Sequence, residues 1–69
     1  MTGTVTETFS NALTTYAWAY IAGQWYQISQ EGGPDSVTNM FTQLVAARSS
    51  GIQVTVDLDA SNQIIHVFY

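Results

Sequence analysis

Hydrophobic and polar residues follow a period of two near both ends of this chain and a helical period between them. Residues 4–9 (TVTETF) are dense in β-branched side chains and lie between Gly3 and the turn pair Ser10-Asn11, which reads as a strand. Residues 13–21 (LTTYAWAYI) place Tyr16, Trp18 and Tyr20 on one face and Ala17, Ala19 and Ile21 on the other, a second strand. Ala22-Gly23 turns the chain into 24–29 (QWYQIS), so these two stretches form a predicted hairpin. The loop from Glu31 to Ser36 then carries helix-start signals: Pro34 suits the first turn, with Asp35 and Ser36 as candidate caps. Val37, Met40, Phe41, Leu44 and Val45 fall at the i, i+3, i+4, i+7, i+8 spacing of one buried helix face. Gly51 ends that helix, and Arg48 suits the negative end of its dipole. Ile52, Val54, Val56 and Leu58 alternate with Gln53, Thr55, Asp57 and Asp59, a strand with one wet face. The turn from Asp59 to Asn62 leads into a last strand over 64–69. No repeat or linker interrupts the pattern, so 1–69 reads as a single domain of three strands, a helix and two strands.

Size and composition then change the picture. A chain of 69 residues without cysteine is small enough that a lone core supplies roughly 3–5 kcal/mol, and such folds usually need a staple. Disulfides and thiolate metal sites are removed by the cysteine count, which leaves association between copies. Only 9% of residues are charged against 46% hydrophobic, where an ordinary soluble domain carries about 25% charge. Five acids against the single Arg48, with no lysine, give a formal charge of −4. Affinity for nucleic acid comes largely from Lys and Arg on phosphates, so that partner is excluded, and an anionic membrane surface is an equally poor one. The longest apolar run, 17–22, is far below the ~20 residues of a membrane span. The first ten residues are Thr-rich and polar, without the pattern of a signal peptide.

Two features favour a homo-oligomer. The helix face opposite the apolar stripe carries Asn39, Gln43, Ala46 and Ser50, with Thr42 and Ala47 at its margins, and no charge. The final strand is apolar on both sides: Ile65, Val67 and Tyr69 on one, Ile64 and Phe68 flanking His66 on the other. An edge strand of that kind is a template for a second chain. Asn39, Thr42, Gln43, Ala46, Ser50, Ile64, His66 and Phe68 are therefore the candidate interface residues.

Five strands with one helix between the third and fourth is the order of an oligosaccharide/oligonucleotide-binding (OB) barrel, so the expected class is a mainly β barrel with one helix, β-β-β-α-β-β. At this length the sequence resembles the B subunit of the Shiga-type AB5 toxins. The likeness starts at Thr2-Gly3 and Val5 and continues through the 16–28 hairpin. It goes on at Asn39-Met40, Leu44-Val45, Ala46-Ala47 and Ser50-Gly51, then Ile52-Gln53-Val54-Thr55-Val56 and the closing Val67-Phe68. The resemblance implies a ring homopentamer that lines a central pore with its helices, pairs edge strands between neighbours, binds cell-surface glycans and delivers a separate enzymatic A subunit. It also implies a secreted bacterial protein; without it, the missing signal peptide points to the cytoplasm. This chain lacks the family's cysteine pair. It has Asn11-Ala12-Leu13-Thr14 where the family has an acidic run, and Thr38 where the family has a tryptophan at the start of its helix. The family's glycan contacts align with Trp18, Trp25 and Gln27, none of which keeps the family's residue type. Assembly is what the likeness carries; sugar specificity is not.

With Ala17, Ala19, Ile21, Tyr26 and Ile28 toward the core, Tyr16, Trp18, Tyr20, Trp25 and Gln27 point outward. Exposed Trp and Tyr suit the apolar C–H faces of pyranose rings while keeping a polar tip in water. Three readings stand open: a glycan site, a subunit interface, where Trp and Tyr are also enriched, or a reversed strand that buries the rings. Asp57-Leu58-Asp59-Ala60-Ser61-Asn62 has the alternating oxygen donors of a calcium loop, but Asn stands where that loop needs Gly and Phe68 where it needs Glu; a plain hairpin turn is expected. His66 has no nucleophile motif beside it and is read as structural. The acids are too few for a paired-carboxylate glycosidase. Arg48 is expected to cap helix carbonyls or to meet a carboxylate of a neighbour. No phosphate loop or nucleophile elbow is present, so a non-enzymatic protein without metal or cofactor is expected. A scaffold ring with no sugar ligand is the alternative.

Overall fold

The alternating stretches form strands, and the stretch of helical period forms the one helix. A computed structural model describes residues 1–11 and 16–69. Its elements are β1 (Thr2–Ser10), β2 (Ala17–Ile21), β3 (Gln24–Gln27), α1 (Pro34–Ser50), β4 (Gln53–Leu58) and β5 (Ile64–Phe68). The part of the second predicted strand at 13–15 lies outside the described residues. The strands make one five-stranded sheet in the order β3-β2-β1-β4-β5, antiparallel at every junction. The protein is thus mainly β, an open antiparallel sheet with one helix.

β1 serves two neighbours with different stretches of its length. Thr2 to Thr4 pair with β4, whereas Val5 and the residues beyond it pair with β2. The register of the β1–β2 ladder jumps from Val5↔Ile21 to Glu7↔Tyr20, so Thr6 is an extra, bulged residue. Arg48 Nε donates to the Thr6 carbonyl at 3.2 Å. The last turn of α1 is therefore clasped to the bulge, where the sequence suggested helix carbonyls or a neighbour's carboxylate.

The face of the sheet toward α1 is apolar. Val5, Ala17, Ala19, Ile21, Ile28, Val54, Val56 and Ile64 are buried with Val37, Met40, Leu44 and Ala47 of the helix. Ala47 thus belongs to the core, not to the margin of the outer face, while Phe41 packs partly buried beside it. At the start of α1 the cap is Gly33, with φ 87° and ψ 176°, and no side chain bonds to the helix end. That backbone conformation is essentially open to glycine alone, and with Pro34 next in line, Asp35 and Ser36 already lie inside the helix. At the other end Ile52 N–H donates to Ala47 O at 3.1 Å and Gly51 N–H to Arg48 O at 3.4 Å, the bond pair of a Schellman motif. Ile52 is consumed by that cap. It stays 48% exposed instead of opening the buried face of β4.

β5 corrects the simple alternation as well. Asp57 pairs with His66, but Leu58 pairs with Ile64, which leaves Ile65 as the bulged residue. Ile64 consequently turns into the core with no exposure, away from the face it was expected to share with His66 and Phe68. At one end the two sheet edges approach each other. A parallel bridge joins Ile28 to Ile64, Ser29 N–H donates to Ile64 O at 2.9 Å, and Gln63 Nε2 donates to Gln27 Oε1 at 3.3 Å.

Candidate functional site

The hairpin positions the outward aromatics. Ala22 and Gly23 have φ of 52° and 86°, the paired positive values of a type I′ turn, whose twist matches that of the flanking strands. The register it sets puts Trp18 opposite Gln27 and Tyr20 opposite Trp25. Ala17, Ala19 and Ile21 are buried, so the rings of Trp18 and Tyr20 stand on the opposite side of the sheet, half-buried against their neighbours. Tyr20 and Trp25 pack edge to face, with centroids 5.2 Å apart and planes at 73°, a favoured geometry for such rings.

The structure adds Phe9. It pairs directly with Trp18 across β1 and β2 and is 51% exposed. Phe9, Trp18 and Trp25 line an open cleft of about 390 Å³, with one ring from each of β1, β2 and β3. Strict alternation from Val5 sends Phe9 to the core side. The extra residue at Thr6 reverses that parity, and no local feature of TVTETF announces it.

Two other predicted residues stand differently. Tyr16 precedes β2 and faces a separate cleft of about 200 Å³ that it shares with Pro34, Thr38 and Phe41 at the start of α1. Gln27 lies at the edge of the aromatic row, and its amide oxygen accepts from Gln63. Glu7, opposite Tyr20, brings one carboxylate to the same face.

Of the expected interface residues, Asn39, Thr42, Gln43, Ala46 and Ser50 are exposed along α1, and His66 and Phe68 are exposed on β5. Thr42 Oγ1 donates back to Thr38 O at 2.9 Å. His66 Nδ1 lies 3.2 Å from Asp57 Oδ2, a cross-strand pair in the β4–β5 ladder. The Asp59 carboxylate accepts the N–H groups of Ser61 and Gln63 at 2.8 and 2.9 Å, so it organises the turn between β4 and β5. Among the described residues, no cluster of three or more His, Cys, Asp or Glu is placed to hold a metal ion.

The chain matches no known protein family, no curated protein and no solved structure. No helix is long and apolar enough to cross a membrane among the described residues.

Proposed function

We propose that this protein binds carbohydrate, without transforming it, on the aromatic face of β1, β2 and β3, and that it does so as a ring of identical copies. The observation that carries the reading is the cleft formed by Phe9, Trp18 and Trp25. Trp18 and Trp25 stack on sugar rings, and the Gln27 amide and the Tyr20 hydroxyl at the margin supply hydrogen bonds. Ring assembly is supported by the uncharged middle of the exposed α1 face, Asn39, Thr42, Gln43 and Ala46, and by the exposed apolar residues at the β5 edge, Phe68 and Tyr69. The approach of β3 to β5 at Ile28 and Ile64 supports closure of the sheet as an OB-type barrel. A pentamer with a separate A subunit follows only from the likeness to the toxin B subunits.

The test is a glycan array probed with the native chain and with Trp18→Ala/Trp25→Ala. Binding that disappears in the double variant, while sedimentation shows an unchanged oligomer, supports the reading; binding that survives places the sugar elsewhere. A second reading is favoured by the almost wholly apolar lining of the cleft: the three rings are buried between copies in a scaffold ring that takes no sugar. In that case the array stays blank and the double variant dissociates.

A further inference from the structure

We infer that Arg48 is a positioning residue for this aromatic face, holding the β1 bulge that turns Phe9 outward beside Trp18. The inference rests on the aromatic face being the binding site, but its test is separate from any test of sugar binding.

The reasoning starts from the two registers open to β1. In the observed ladder Val5 pairs with Ile21, Glu7 with Tyr20, Thr8 with Ala19 and Phe9 with Trp18. Were Thr6 drawn into a regular ladder after Val5, it would pair with Tyr20, Glu7 with Ala19, Thr8 with Trp18 and Phe9 with Ala17. A slip of one residue moves every side chain to the other face. Phe9 would leave the cleft for the core side, and Thr8 would stand beside Trp18 in its place. The bulge thus decides whether the cleft has two aromatic walls or three.

Two groups hold the bulge open. Glu7 opposes the slip because its carboxylate would come to face Ala19, which has no exposure, and burying an unpaired charge is costly. Arg48 acts on the bulge itself. A bulged residue leaves the ladder's hydrogen-bond pattern locally interrupted, and the Thr6 carbonyl is the acceptor that the Arg48 Nε–H engages at 3.2 Å. The Thr6 hydroxyl also donates to Tyr20 O at 3.5 Å, on the strand opposite. Arg48 sits in the last turn of α1, which the Schellman cap fixes, so the guanidinium reaches the bulge from a rigid base. The only Lys or Arg side chain of the sequence is thereby committed to shaping the site.

Arg48→Met keeps the aliphatic stem and removes the N–H; Arg48→Lys keeps a donor. Both would be compared with the native chain by amide hydrogen exchange and by nuclear Overhauser contacts between the Phe9 and Trp18 rings. Losing one charge-assisted bond in Arg48→Met is expected to speed exchange over residues 7–9 by about tenfold, to weaken the Phe9–Trp18 contact, and to leave Val54 and Val56 in β4 unchanged. Arg48→Lys should recover most of both signals. Equal acceleration at every amide would mean that Arg48 serves stability alone, and an undiminished Phe9–Trp18 contact in Arg48→Met would mean that the bulge stands without it; either result overturns the inference. A blank glycan array from the native chain would bear on the carbohydrate reading only, because the ring contact is scored without a ligand.

Discussion

Ile28, just after β3, and Ile64, at the start of β5, are joined by a parallel bridge, and both side chains have no exposure to solvent. Two strands at opposite edges of the sheet are tied there through the core. Ile64→Ala leaves a cavity at that tie and should cost about 2–5 kcal/mol, comparable with the ~3–5 kcal/mol that a core of this size supplies. Ile65→Ala, at the half-buried bulge position, should cost less. Urea unfolding of the two variants checks both values; a larger loss at Ile65 would show that β5 is registered one residue differently.

Gly3 is held by close approach. A Cβ there would lie 2.9 Å from Cγ2 of Ile21 and 3.3 Å from the Cβ of Ala22, and Ile21 is locked in the core. Gly3→Ala should therefore destabilise by about 1–3 kcal/mol, seen as a lower denaturation midpoint with an unchanged slope.

Ala22 works against its own turn. Its φ of 52° is in the left-handed region, which a side chain with a plain Cβ enters at a cost of roughly 1–2 kcal/mol, whereas Asn-Gly is the favoured pair for a type I′ turn. Ala22→Asn should raise stability by about 0.5–1 kcal/mol and leave the aromatic face intact. A fall in the thermal midpoint would contradict the turn assignment.

The Asp59 carboxylate accepts two backbone N–H groups from Ser61 and Gln63. Asp59→Ala removes both bonds and should cost about 1–3 kcal/mol, while Asp59→Asn keeps an acceptor oxygen and most of the stability. Because the carboxylate is engaged by the turn, millimolar calcium should leave the thermal midpoint of the native chain in place. A calcium-dependent rise of several degrees would reopen the metal reading of this loop.

Ala46 and Phe68 are both exposed in the single chain. Ala46→Glu and Phe68→Glu should each leave the unfolding free energy of the single chain within about 0.5 kcal/mol, as surface changes do. In sedimentation they should lower the association state of the proposed ring, in which each would repeat a like charge around the assembly. An unaltered assembly in both variants would move the interface off α1 and β5.

The strands, the helix and most of the core were legible in the sequence because the period of polarity is a local property. The alternation of Ala17, Ala19 and Ile21 with Trp18 and Tyr20 separates the two faces of β2 but leaves open which is buried; the structure decides it by burying the three small and aliphatic residues. Ala47, Ile52 and Ile64 stand elsewhere than simple patterning puts them, each for its own reason. Ala47 looks like a margin residue by composition, yet it continues the Val37, Met40, Leu44 stripe and is fully buried in the core. Ile52 continues an alternating series, but the Schellman cap takes its amide before the strand begins. Ile64 fell on the wrong face because a bulge at Ile65 resets the count.

By itself, then, the sequence determined the order of elements, the grouping of Trp18 and Tyr20 on one strand face and the scarcity of charge, since each is written in residue type and spacing along the chain. Only the tertiary structure decided that Phe9 joins Trp18 and Trp25, that Tyr16 does not, and that Arg48 reaches back to Thr6. The physical reason is parity. In a strand, one inserted residue exchanges the two faces, and whether a ladder takes up that insertion depends on contacts made by residues far away in the chain.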